Sequence, residues 1–327
     1  MDLVTYPIIP MKNDKPQSMH FRYDILCDTG VYDLTSGQNV LVCQTTMNVC
    51  VKNRFADNIL FDFKPENGVE IHEDEKYSTD ILLEKMKIGF CREAQYYWVK
   101  NSDSVTNNYM KPYYLYENTL GLFESYFNRY DDAVPRYLQA LLLNDIGWKM
   151  NSRIFLPIHL KGAEYEAAIE RLACLLDKVD DDLILSHPNV RTHHRYFLLR
   201  TKRRGLLDAH IGTKVLALSD KGEIVYANDS AEMVLLRIVV RDGRLLLVGC
   251  LKSPAFFDFC GTMELRAKRR PKDPTKAVRY ETIALEESSR SYDSDMVKTN
   301  KFPGFRYECD LGLDETISFE LFLDGKK

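Results

Sequence analysis

A change of period most constrains what this chain can fold into. Apolar residues recur at helical spacing through VPRYLQALLLNDIGWKM (134–150), through Glu164–Lys178 and through Ser186–Leu199. That spacing stops in RTKRRGLLDAHIG (200–212), where glycines at 205 and 212 bracket the break. Downstream, short alternating runs are separated by turn residues. Asp242-Gly243 between Met233–Arg241 and Arg244–Leu251 predicts a two-residue hairpin, and further strands are expected at 260–268, 278–285, 305–311 and 316–323. A helical chain cannot become a strand-rich one inside a single layer, so the sequence predicts an α+β multidomain protein. Residues 1–109 read as a partial α/β domain, 110–204 as a helical domain and 205–327 as a β-sandwich.

Within the first part, Leu41–Cys43, Ile59–Phe61 and Gly89–Trp98 are the expected strands. Tyr116, Leu120, Phe123, Phe127 and Tyr130 then fall on one helical face, a core stripe rather than a sugar platform, and Asp131, Asp132 and Pro135 signal the next helix start. At 327 residues there is chain enough for two or three cores. A formal charge of -4 argues against a general nucleic-acid binder. No basic, apolar leader and no run of about 18 apolar residues is present, so a cytoplasmic protein is expected. The eight cysteines (27, 43, 50, 91, 174, 250, 260, 309) are scattered without a Cys-x-x-Cys pair, as buried thiols would be. His193 and His194 are adjacent and point about 100° apart on a helix, which suits packing better than one shared metal.

The stretch with chemical content is VEIHEDEKYSTDILLEKMKIGFCREAQYYWVKNSDSVT (69–106). Glu73, Asp74 and Glu75 precede Tyr77, Ile81, Leu82 and Met86, one apolar face of a helix expected over Glu75–Met86. A carboxylate fixed at such a turn can take a proton from a hydroxyl, and Glu73 beside Asp74 raises one of the two pKa values by repulsion. Acids in a first turn also complement the helix dipole in proteins that catalyse nothing. Gln44 and Asn48 can hold acceptor hydroxyls or, alternatively, satisfy backbone groups beside the site.

From Asp2 to Leu199 the order of segments resembles the second half of a bacterial family 2 glycosyltransferase of the GT-A type, of the kind that builds surface polysaccharides. The resemblance lies in YDLTSGQNVLVCQTTMNVCVKNRF (32–55), ILFDFKPENGVEIHEDEKYSTDILL (59–83), GFCREAQYYWVKNSDSVT (89–106) and the helical run 134–150. It implies that Asp74 is the catalytic base with Glu73 as its neighbour, and that Trp98, Lys100 and Ser104 close over the donor diphosphate. Val99, Lys100 and Asn101 stand where relatives carry a basic pair and a histidine. The family's Asp-x-Asp metal and nucleotide-binding motif would lie upstream of Met1. Asp180/Asp182 follow a helix and Asp293/Asp295 a polar loop, so neither pair replaces it. The resemblance therefore implies a Mn or Mg ion for the intact family with no ligand for it in this chain.

The expectation is a fragment at both ends: a glycosyltransferase-like protein of surface polysaccharide synthesis, inverting, with nucleotide sugar and glycan acceptor as partners, and inactive alone. The alternative is a non-catalytic carbohydrate-binding or scaffold protein that partners an intact transferase. The open half-domain suggests a homo-oligomer or a partner chain. RDGRLLLVG, FRYECDL and ISFELFLDGKK resemble an immunoglobulin-like accessory domain. The basic groups Arg200, Lys202, Arg203, Arg204 and Lys268, Arg269, Arg270, Lys272 suit either a solvated surface or peripheral contact with the inner membrane face.

Overall fold

The structure, a computed structural model, describes residues 1–20, 23–24, 26, 28–37, 48–52, 72–99, 112–130, 133–151, 160, 162–205, 207–211, 215–218, 221–228, 232–253, 255–291, 301–310, 312 and 314–327. The chain divides into two compact units, Met1–Arg191 and Thr192–Lys327. The sequence divides it twice, near 110 and 205; helices from 112 to 186 pack with the first unit.

In the first unit, β1 (Leu3–Thr5) and β2 (Ile8–Lys12) are separated by Tyr6-Pro7, where proline has no N–H to give a ladder. Asn13 and Asp14, both at positive φ, turn β2 back into β3 (Lys15–Pro16). The remaining strands are β4 (Gly30–Asp33), β5 (Val49–Val51), β6 (Lys87–Phe90) and β7 (Tyr96–Val99). One sheet runs β4-β6-β1-β5 and the other β3-β2-β7. β1 pairs parallel with β6 and β2 parallel with β7, as an α/β unit requires. The strand expected over Gly89–Trp98 is thus two strands, each in its own sheet. Leu41–Cys43 and Ile59–Phe61 lie outside the described residues.

The connection into β6 carries α1 (Glu73–Leu82), which packs on β1. It begins and ends earlier than expected, because Leu83–Lys85 form turns and Met86 takes φ 52°. Next come α2 (Pro112–Phe127), α3 (Arg136–Asn151), α4 (Gly162–Asp177) and α5 (Asp181–Ser186). Leu120, Phe123 and Phe127 of the aromatic stripe are buried, as core spacing demands. α3 starts just after Pro135 and is buried on every face, polar residues included. Arg171 of α4 clamps Glu117 and Glu124 of α2.

The second unit opens with α6 (Thr192–Arg203). The single helix expected over Ser186–Leu199 is broken, because Pro188 forces His187 into extended backbone and so separates α5 from α6. His194 on α6 is fully buried. A three-stranded meander of β8 (Asp208–Ile211), β9 (Val215–Leu218) and β10 (Ile224–Asn228) precedes two facing sheets. β11 (Glu232–Arg241) and β12 (Arg244–Lys252) form the expected hairpin, with Asp242 and Gly243 both at positive φ. α7 (Ala255–Asp258) is followed by β13 (Met263–Pro271), β14 (Arg279–Ile283), β15 (Leu285–Ser291), β16 (Lys301–Asp310) and β17 (Glu315–Leu323). The sheets β11-β12-β16-β15 and β14-β13-β17 share one core, to which Leu247, Leu251, Phe305 and Tyr307 contribute from one side and Leu265, Ala267, Ile283 and Leu323 from the other. Of the basic residues here, Lys268 pairs with Glu320 and Arg269 with Glu315 and Glu281.

Candidate functional site

The acidic turn is where unusual local structure concentrates. Glu73, Asp74 and Glu75 are the first three residues of α1, so their charges sit at its positive end. The residue before them, His72, holds a left-handed conformation at φ 77°, which costs a non-glycine residue on the order of 1–3 kcal/mol unless its surroundings fix it. Its side chain does not cap the helix. Instead it points into the unit.

There the imidazole is bracketed. Nδ1 lies 2.8 Å from Glu75 Oε2, and Nε2 lies 3.1 Å from the Thr119 hydroxyl of α2 and 3.8 Å from Asp145 Oδ2 of α3. The Lys149 ammonium donates to Asp145 Oδ2 at 2.6 Å, one turn along α3. All four ionisable side chains are at most 8% exposed. Burial pushes the Glu75 carboxyl above its ordinary value and the nearby Asp145 charge adds to this, only partly offset by His72 and Lys149. Burial acts in the same sense on Asp145, but the Lys149 ammonium, His72 and the Thr119 hydroxyl outweigh it and hold that carboxyl below its ordinary value. Burial and the Asp80 carboxylate, with a small addition from Glu75, push the Tyr126 hydroxyl of α2 far above the phenol range, and it stays neutral.

His72, Glu75 and Asp145 offer ligand atoms within 4.8 Å of one another. The arrangement nevertheless does not fit a divalent ion. The two carboxylates lie at opposite nitrogens of a single ring, and the position beside Asp145 Oδ2 is taken by the protein's own cation, Lys149. Asp180 and Asp182 are likewise engaged, both by the Arg136 guanidinium at 2.6 Å. Asp293 and Asp295 lie outside the described residues.

The expected site residues divide as follows. Glu73 and Asp74 are half-buried at the start of α1. Trp98 is half-buried on β7, paired with Pro10 of β2. Asn48 is fully buried, and its amide donates to Thr5 Oγ1 at 2.8 Å, to Tyr6 O at 2.6 Å and to the Tyr23 hydroxyl. Of these partners, Tyr6 O is a backbone group and the other two are side-chain hydroxyls. Gln44, Lys100 and Ser104 lie outside the described residues. Sequence reasoning passed over His72, Thr119, Asp145 and Lys149. The available signal was Asp145 and Lys149 four apart inside LLLNDIGWKM, a charge pair in an otherwise apolar helix.

No protein-family model matches the chain. It is 25% identical over 158 residues to the minor teichoic acid biosynthesis protein GgaB of Bacillus subtilis, a match covering 46% of this chain and 17% of GgaB. The crystal structure of S. aureus TarS aligns with all of this chain and 56% of its own at a TM-score of 0.42 and 13% identity. A TarS 1–349 structure in complex with UDP-GlcNAc aligns with 68% of this chain and 66% of its own, at a TM-score of 0.42 and 16% identity. The chain thus spans less than two thirds of the length of each of these proteins. Among the described residues, no helix is long and apolar enough to cross a membrane. Over nearly half its length, then, the chain is similar in sequence to a teichoic acid biosynthesis protein.

Proposed function

We propose that this protein serves cell-wall polysaccharide synthesis as a glycosyltransferase-like protein, with the acceptor side of the reaction at the start of α1. The observation that carries this reading is the 158-residue similarity to GgaB. The acids at the N-terminus of α1, with a strained residue beside them and a buried network beneath, agree with it. In this reading the Asp74 carboxylate takes the proton of an acceptor hydroxyl. The freed oxygen forms a bond to the anomeric carbon of a nucleotide sugar on the face opposite the diphosphate, which leaves with the electrons of the broken carbon–oxygen bond. The anomeric centre is inverted. Glu73 neighbours the base, while Trp98, Lys100 and Ser104 belong to the donor side and the Lys100 ammonium meets the leaving diphosphate. No step is assigned to a metal. The two-sheet part of the second unit serves as an immunoglobulin-like accessory domain, and the basic residues at the end of α6 face anionic polymer or lipid headgroups at the inner membrane surface.

The test is transfer itself. The chain, alone and mixed with the nucleotide-binding part of a relative, is incubated with manganese, a panel of nucleotide sugars and a teichoic-acid-type polymer, and sugar incorporation is measured. Incorporation is expected where the nucleotide-binding part of the relative is supplied. Polymer binding with no incorporation in both mixtures would favour a carbohydrate-binding scaffold and overturn the transferase reading.

A further inference from the structure

The His72–Glu75–Thr119–Asp145–Lys149 cluster has no part in that reaction, yet it sits directly beneath the acids that do. Three helices meet in it: α1 through Glu75, α2 through Thr119 and α3 through Asp145 and Lys149. Its proton inventory is tightly constrained. Asp145 and Lys149 cancel as an ion pair. An Nε2–H on His72 suits its surroundings, with the Thr119 hydroxyl at 3.1 Å and the Asp145 carboxylate at 3.8 Å as acceptors. The 2.8 Å contact between Nδ1 and Glu75 Oε2 then needs one proton, whether on the nitrogen or on the oxygen. With that proton the cluster is neutral. Without it, a buried carboxylate faces a lone pair, with Asp145 as a second negative charge nearby.

We propose that His72 and Glu75 are positioning residues for the Glu73–Asp74 site, sharing one proton along the Nδ1···Oε2 contact so that the first turn of α1 is locked from its buried side. The proposal rests on the reading of Asp74 as the reacting group. Its chemistry follows from the backbone: His72 O accepts the hydrogen bond of the Lys76 amide at 2.8 Å, closing the first turn, while the side chain of the same residue is tied to α2 and α3. Holding the ring therefore holds the left-handed His72 and fixes the direction in which Glu73 and Asp74 leave the helix. Losing the shared proton loosens that turn without unfolding the helices around it. The groups facing the ring or its partner are Glu75, Thr119, Tyr126, Asp145 and Lys149, and burial together with the Asp145 charge makes Glu75 hold its proton to higher pH than an ordinary carboxyl group.

The experiment is amide hydrogen exchange on the full chain, corrected for intrinsic rates, followed with rising pH in the wild type and in Glu75→Gln. The glutamine side chain makes the same contact in neutral form and has no proton to lose. In the wild type, the Lys76 amide and its neighbours should lose protection by roughly tenfold as the pH rises and Glu75 gives up its proton, while α3 amides hold. In Glu75→Gln that pH response should vanish. An identical response in both proteins, or α1 and α3 losing protection together, would overturn the proposal. Should Glu75→Gln fold poorly, Glu75→Met, which also has no proton to lose, serves as the second variant, with the same loss of pH response expected and the same outcome against it. Because this readout needs neither donor nor acceptor, failure to transfer sugar would remove the role of Asp74 and leave the lock standing, whereas failure here would leave Asp74 without its positioning device.

Discussion

In the first unit the most deeply buried helix carries an ion pair in its C-terminal half, with Lys149 1% and Asp145 7% exposed and a histidine–glutamate pair against them. In the second unit the shared core of the two sheets is apolar, and its principal buried cation, Arg269, lies with Glu315 in a network that reaches solvent through Glu281 and Arg279. A buried ion pair gains little over well-packed apolar side chains of similar volume, so stability alone does not explain charges placed where α1, α2 and α3 meet. In the second unit the buried pair Arg269–Glu315 runs outward to the partly exposed Glu281 and Arg279, as a scaffold can allow. The contrast places specific geometry in the first unit and bulk packing in the second.

Deleting one charge should expose the contrast most sharply. Lys149→Met leaves Asp145 buried beside Glu75 and should cost the first unit about 3–5 kcal/mol, whereas Arg269→Met should cost the second about 1.5–3 kcal/mol. Urea unfolding followed with probes in each unit measures both, and equal losses would erase the distinction. Packing comes next. Leu265→Ala in the sandwich core should destabilise the second unit by about 2–5 kcal/mol and leave the pH dependence of the first unchanged.

The pH dependence of the first unit carries two opposite signs. Asp145 titrates lower in the folded state, so its contribution is present above the ordinary carboxylate range and is lost as pH falls through its depressed value. Glu75 titrates higher when folded, so its contribution is full below that range and is lost as pH rises through its raised value. Stability of the first unit should therefore fall on both sides, and Glu75→Gln should remove only the decline toward higher pH. Thermal melts across pH check this. The smallest effect is expected at the edge strand β11, where Ile238 is 61% and Val240 58% exposed. Ile238→Lys should change stability by less than about 0.5 kcal/mol while reducing self-association seen by light scattering, because exposed apolar edges invite strand pairing.

Much of the second unit was legible in sequence. Asp242-Gly243 is the backbone chemistry of a tight hairpin, and alternation in β12 and β17 states which face is buried. The break between α5 and α6 was readable too, since Pro188 stands inside the run taken for one helix. The candidate site was half legible. The acids of α1 advertise a helix start, but nothing local says that Glu75 turns inward while Glu73 and Asp74 stay near the surface, because that choice is made by Asp145 and Thr119 from segments far along the chain. Asn48 shows the same limit: a buried amide that latches Thr5, Tyr6 and Tyr23 looks, in sequence, like any polar residue near a site.

The central claim, that Asp74 is the reacting carboxylate of a sugar transfer, is tested most directly by comparing Asp74→Asn with the wild type in the transfer assay at matched stability. The substitution is nearly isosteric and removes a first-turn charge, which should cost the fold about 1 kcal/mol. Removing a general base should lower the transfer rate by roughly 10²–10⁴-fold, with Glu73→Gln much milder. Unchanged transfer by Asp74→Asn in a folded protein would contradict the account.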